Sequence, residues 1–217
     1  LNILRDILVE MIAREPLSDP FCAEQILVQS PGMAQWLKLE VAQRLSIAAN
    51  IDFPLPASFL WRTFSQLLTD VPERSAYSKE SMSWVLMGIL PEYIEQPEFQ
   101  ALSSYMQGED SSFKYYQLCA KIADLFDQYL VYRPDWIAQW EKGENAPADE
   151  QQLWQPILWR AIVENTQQRQ LPHWHRANMF DAFIEGIGNA GKQALPQRVF
   201  VFGISALPEN YLQALVA

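Results

Sequence analysis

Gln29, Gln35 and Trp61 bring two carboxamides and an indole next to two turn-forming segments, and that combination suits nucleobases. A carboxamide presents a donor beside an acceptor and can pair with a base edge, while an indole can stack on a base face. The strings that carry them are Ile26-Leu-Val-Gln-Ser-Pro-Gly-Met-Ala-Gln-Trp-Leu37 and Ala48-Ala-Asn-Ile-Asp-Phe-Pro-Leu-Pro-Ala-Ser-Phe-Leu-Trp61. Ser30 lacks the Gly-x-Ser-x-Gly setting of a hydrolase nucleophile and reads more simply as the N-cap of a helix after Pro31.

Three other chemistries fail on their spacing. Gly186-Ile-Gly-Asn-Ala-Gly-Lys-Gln193 approaches the phosphate-binding loop, but Gln193 stands where a hydroxyl must ligate Mg²⁺. The order is also helix–glycines–strand where that motif needs strand–glycines–helix. A glycine-rich helix end explains the string as well. No lysine completes the Asp/Glu-x-Lys element of metal-dependent nucleases: Lys38, Lys79, Lys114, Lys121, Lys142 and Lys192 follow Trp36, Tyr77, Ser112, Cys119, Trp140 and Ala190 by two positions. His173-Trp-His175, read as helical, would point its imidazoles apart, and no third ligand accompanies them. The chain is therefore expected to have no ATPase, nuclease or metal site of its own. Cys22 and Cys119 are expected to be free thiols, since no export signal accompanies them.

The segment Ala123–Trp136 places Asp124, Asp127 and Gln128 on one helical face. A solvated acidic face is the plain reading. The sharper one is a latch, in which these carboxylates accept hydrogen bonds from Arg133 or Arg176. Of the eight tryptophans, Trp36, Trp84, Trp136, Trp140, Trp154 and Trp159 sit in amphipathic patterns and are expected in the core. Trp61 directly follows the Pro54–Pro56 turn, which leaves it open as a stacking platform.

These groups must be positioned by a mixed architecture. Ile3, Leu4, Ile7, Leu8, Met11 and Ile12 predict a helix over residues 1–15. Gln25–Val28 reads as a short buried strand and Ile51–Phe53 as a second. Between them lies a helix of about 31–45, with Met33, Trp36, Leu37, Val41 and Leu45 on one face. From Ser58 to about Ile187 the pattern is helical, broken by prolines, and Arg198–Phe202 is the next strand. The expected fold is α/β and predominantly helical. Residues 1–57 and 196–217 form a small parallel-sheet unit, split by an all-helical insertion over 58–195. Loops 107–112 and 141–150 have the composition of mobile segments.

Composition sets further bounds. A chain of 217 residues that is 49% hydrophobic can bury a core, and no run approaches the roughly 20 apolar residues that span a membrane. It starts and stops inside helical patterns, as a fragment would. A net charge of −10 disfavours non-specific binding to a phosphate backbone, which depends on Lys and Arg releasing counterions.

The strings Ile26–Trp36, Ala48–Trp61, Ser81-Met-Ser-Trp84, Ala123–Trp136, Trp174-His-Arg-Ala-Asn178 and Arg198–Leu207 closely resemble the N-terminal part of the RecC family, the gamma subunits of bacterial exodeoxyribonuclease V (the RecBCD helicase–nuclease). The resemblance runs end to end, with the family's first strand missing before Leu1. It implies a cytoplasmic, non-catalytic scaffold with a helicase-like layout: a 1A-like α/β subdomain and a 1B-like helical insertion. It implies RecB and RecD as partner subunits, which use ATP and Mg²⁺, and single-stranded DNA guided through a channel where the Chi sequence is read during double-strand break repair by homologous recombination. Gln29, Gln35, Leu55 and Trp61 match the family's Chi-scanning positions. Asp124, Leu125, Asp127, Arg133 and Arg176 match positions around the recognition site and its latch. Pro31 departs from the family pattern, where a hydroxyl residue stands, and puts one polar contact in doubt. A base reader inside an assembly whose other parts hold the backbone need not be basic. The competing expectation is a purely structural domain that docks the motor subunits and never touches DNA.

Overall fold

The computed structural model describes residues 1–106, 111–186 and 195–216. Two compact units emerge: Leu1–Leu67 with Phe183–Ala217, and Leu68–Ala182. The first unit therefore takes in residues 58–67, which the sequence reading assigned to the helical insertion.

The first unit is built on β1 (Glu24–Val28), all five residues of which are buried. It is the middle strand of a three-stranded sheet, between β2 (Ile51–Asp52) and β3 (Val199–Phe202), and both pairings are parallel. A central parallel strand is covered on both faces, which is why Ile26-Leu-Val28 is an unbroken apolar run. Ile26 and Val28 face a core shared with Leu8 and Val9 of α1 (Asn2–Arg14) and Leu37 and Val41 of α2 (Pro31–Leu45). Leu27 alternates to the other face, where α3 (Pro56–Leu67) packs and buries Phe59, Leu60 and Phe64. Trp36 is half-buried in the α1–α2 core, with its ring 6.3 Å from that of Phe202. β3 is pinned at its start, where Arg198 grips the buried Glu24 with two guanidinium nitrogens. Gly203 ends it in the left-handed region, at φ 64°, where a side chain would be strained.

The second unit is helical. α4 (Lys79–Ile89), α5 (Gln100–Met106), α6 (Ser111–Tyr132), α7 (Pro134–Glu141) and α8 (Trp154–Gln168) precede α9 (Arg176–Gly186), which runs across the boundary at Ala182. α10 (Glu209–Val216) closes the chain in the first unit. Leu118, Ile122, Phe126 and Leu130 repeat every four residues on α6 and drive one face into a core with Met82, Leu86, Ile137, Trp140, Trp159 and Phe99. Trp140 and Trp159 are fully buried and keep their indole N–H groups satisfied, on the Ala146 carbonyl at 3.0 Å and Glu141 at 3.2 Å. The stretch 141–150 is held by Arg160, which donates to the Glu144 carbonyl at 3.2 Å and the Asn145 side chain at 2.9 Å. Loop residues 107–110 lie outside the described residues.

Two expectations are corrected. Trp84 is not a core residue: it is 68% exposed. α4 buries Met82, Ser83 and Leu86, and Trp84 lies two residues from Met82, about 200° around the helix. His173 and His175 do not sit on a helix, because residues 171–175 precede α9 in non-helical backbone. His173 stacks on Trp174, while His175 is buried against the rings of Tyr77 and Trp159.

Candidate nucleic-acid interface

In the first unit, Gln29 and Leu55 leave the sheet at the C-terminal end of β1, while Gln35 and Trp61 lie within the helices that follow. Ser30 caps α2 as its type predicts: it is extended, at φ −154°, and its hydroxyl accepts the Met33 N–H at 3.2 Å. Pro31 fills the first helical turn, where a missing N–H costs nothing. Between strand and cap, Gln29 is exposed; Gln35 is exposed on the face of α2 opposite Leu37 and Val41. The second turn is tied to the first by one backbone bond, in which the Val28 N–H donates to the Pro54 carbonyl at 3.1 Å. Gln29 and Leu55 are the next residues on either side of that bond, so both leave the same sheet end. The Leu55 carbonyl accepts the Phe59 N–H at 2.9 Å and so starts α3. Trp61 stands five residues into α3, about 7.5 Å along its axis from Pro56. It is half-exposed beside buried Leu60 and exposed Arg62.

In the second unit, Asp124, Leu125 and Asp127 lie on α6, each partly exposed. Arg176 opens α9 and donates through Nη1 to Asp127 Oδ1 at 2.8 Å. Arg133 behaves differently. Its guanidinium lies 5.4 Å from the Trp136 ring centre and donates to the Tyr132 carbonyl. Of the two arginines considered as carboxylate partners, Arg176 takes that place.

Asp124 is held by a residue that the sequence reading did not connect with it. Lys79 Nζ reaches Asp124 Oδ1 at 2.5 Å, and Gln128 Nε2 donates to Oδ2 at 3.3 Å. The Lys79 hydrogen bond holds the Asp124 carboxyl below its ordinary pKa, and the same bond raises that of Lys79. Helical spacing reveals the Gln128 contact, four residues on, but no local signal reveals a partner 45 residues away.

Arg176 is positioned from behind by a reciprocal cap. The Asn178 N–H donates to His175 Nδ1 at 3.3 Å, and the His175 N–H donates to Asn178 Oδ1 at 2.9 Å. This is a capping box with histidine as the N-cap residue. With Nδ1 accepting, the hydrogen-bond network assigns the proton to Nε2, which donates to Glu141 Oε1 at 2.9 Å. The same carboxylate accepts from Trp159. The string Trp174-His-Arg-Ala-Asn178 thus encodes a helix start that fixes where Arg176 begins.

Chemically, the first surface offers amides, an indole and a leucine, and the second offers paired carboxylates. Among the described residues, no group of three or more His, Cys, Asp or Glu could hold a metal ion. Residues 187–194 of the glycine-rich string lie outside the described residues; Gly186 is the last residue of α9, and the next described strand is β3.

A family model described as "RecC, N-terminal domain" matches residues 1–217. The chain belongs to the RecC family. It is 52% identical over 220 residues to "RecBCD enzyme subunit RecC" of Escherichia coli (strain K12), covering 100% of this chain and 20% of that relative. The Haemophilus influenzae protein of the same name is 40% identical over 235 residues, covering 98% of this chain and 21% of the relative. The Mycolicibacterium smegmatis RecC subunit is 28% identical over 223 residues, covering 100% of this chain and 19% of the relative. The chain thus spans about a fifth of the length of these RecC relatives. No helix among the described residues is long and apolar enough to cross a membrane.

Proposed function

We propose that this chain is the N-terminal part of a non-catalytic RecC subunit in a cytoplasmic RecBCD heterotrimer, where it lines a single-stranded DNA channel and takes part in reading Chi. In this reading the sheet unit is a 1A-like subdomain and the helical unit a 1B-like insertion, both of an inactivated helicase. RecB and RecD supply ATP- and Mg²⁺-dependent chemistry, and this chain supplies base contacts. The observation that carries the reading is the Val28–Pro54 bond, which brings Gln29 and Leu55 out at one sheet end with the Gln35 amide exposed nearby on α2. In open α/β sheets, ligands bind outside the carboxyl ends of the strands.

The test uses the full-length subunit assembled with RecB and RecD. Gln35→Ala or Trp61→Ala reduces Chi recognition and leaves unwinding nearly intact, since a lost base-edge pair or stack costs about 1–3 kcal/mol of discrimination. Normal Chi-dependent fragments from a stable Trp61→Ala enzyme would remove Trp61 from the reading site.

A second reading, a docking domain without DNA contact, is favoured by the 68% exposure of Trp84 and the exposed Ile3, Ile7 and Met11 on α1. It forecasts that Trp61→Ala impairs assembly and unwinding together.

A further inference from the structure

The second unit holds a cleft of about 320 Å³ lined by Lys79, Tyr105, Tyr116, Gln117, Lys121 and Asp124. α6 supplies most of it. Tyr116, Gln117, Ala120, Lys121 and Asp124 recur at helical spacing on its outward face, and α4 and α5 add Lys79 and Tyr105. The two tyrosines are large rings left half in solvent, at 51% and 46% exposure. Their neighbours explain little of this as packing, because the buried stripe of α6 is Leu118, Ile122, Phe126 and Leu130 on the other side.

The local charge differs from that of the whole chain. Two of the chain's 16 cationic residues meet here beside one carboxylate, within a protein of net charge −10. Lys121 lies close enough to Asp124 to lower its pKa, yet among the described residues it makes no hydrogen bond or ion pair. Lys79 is bound to Asp124, but both side chains keep solvent contact, at 47% and 37% exposure. A phosphate arriving beside Lys121 can take Lys79 as well. That exchange frees the Asp124 carboxylate to accept from an exocyclic amino group of a base.

We propose that this cleft is a further contact for single-stranded nucleic acid, with Tyr105 and Tyr116 stacking bases and Lys79 and Lys121 meeting the backbone. Cations interleaved with exposed rings are how strands are held without sequence preference. An acidic peptide would use the lysines but leave the two rings without partners of matching shape. The inference rests on the strand-handling role proposed above, since two lysines release too few counterions to capture a strand unaided.

The experiment uses the full-length subunit and a short single-stranded oligonucleotide carrying 5-iodouracil, with crosslinked residues mapped by mass spectrometry. Crosslinks are expected at Tyr105 or Tyr116. Tyr116→Ala should weaken oligonucleotide binding about 5- to 150-fold while Tyr116→Phe keeps it, since stacking needs the ring and not the hydroxyl. Lys121→Gln should reduce the salt slope by about 0.7. Crosslinks at Trp61 with none at either tyrosine overturn this cleft and leave the Chi-surface reading standing. Crosslinks at the tyrosines with none at Trp61 support the cleft and count against Trp61. Displacement of the oligonucleotide by polyglutamate at equal charge concentration would mean that the lysines act alone, and would also overturn the proposal.

Discussion

Arg176 and Asp127 are joined by a 2.8 Å hydrogen bond across 49 residues of sequence, from the first residue of α9 to the C-terminal part of α6. Their side chains keep 39% and 27% exposure, so the pair is open to exchange with solvent or another ligand. A closed pair of this kind can hold one state and be released by a competitor at small cost.

Breaking the pair should therefore change function more than stability. Arg176→Ala or Asp127→Asn is expected to cost at most about 1 kcal/mol of folding free energy, as exposed ion pairs do. In the assembled enzyme, each should alter the frequency of Chi-dependent fragments while unwinding continues. A double variant no worse than either single one, in both unfolding midpoint and Chi response, confirms that the two residues act through each other.

The histidine-based cap upstream makes a separate forecast. Asn178→Ala removes the Oδ1 that accepts the His175 N–H and the Nδ2 that donates to the His173 carbonyl, while the Asn178 backbone N–H stays on His175 Nδ1, and should cost about 0.5–1.5 kcal/mol. The start of α9 frays, so amide exchange at Ala177–Met179 should accelerate before the rest of the helix unit responds. Unchanged exchange there would show that Glu141, which also holds His175, suffices to keep the helix start in place.

The Lys79–Asp124 bridge has a defined pH window. Asp124 is held below its ordinary value of 3.8, so its contribution is present above that value and is lost as pH falls through its lowered pKa. Lys79 is raised above 10.5, so its contribution is present below that value and is lost as pH rises through its raised pKa. The Tm difference between the parent and Lys79→Met should be flat between those limits and close at strongly acidic pH. A difference that persists after Asp124 is protonated would mean that Lys79 stabilises through something other than its bridge to Asp124.

A buried and an exposed tryptophan of the helical unit should respond very differently to truncation. Trp159→Ala leaves a cavity and removes one of the two hydrogen bonds to Glu141 Oε1, and should cost about 3–5 kcal/mol. Trp84→Ala removes a solvated ring and should change the unfolding free energy by no more than about 0.5 kcal/mol. If Trp84→Ala nevertheless impairs assembly with the other subunits, the docking role of α4 is established by that difference.

What the sequence alone determined is what short-range chemistry controls. The apolar run Ile26–Val28 reads as a short buried strand, Ser30-Pro31 as a capped helix start, and Val199–Phe202 has the β-branched and aromatic character of a strand, and each forms as read. Each rests on backbone preferences and periodicity within a few residues. The same reasoning misplaced Trp84, because an amphipathic pattern shows that a helix has a buried face without showing which of two neighbouring stripes meets the rest of the core. Tertiary structure alone decided which charges meet. Asp124 sits on α6 in a pattern that suits a solvated face, and its partner proved to be Lys79, 45 residues earlier. His175, read as a helical residue without a metal partner, is a buried helix cap, because the chain enters α9 there and Glu141, 34 residues away, accepts the hydrogen bond of its Nε2–H. Ion pairs and side-chain caps of this kind depend on distances of a few ångströms between segments far apart in the chain, and local sequence carries no record of those distances.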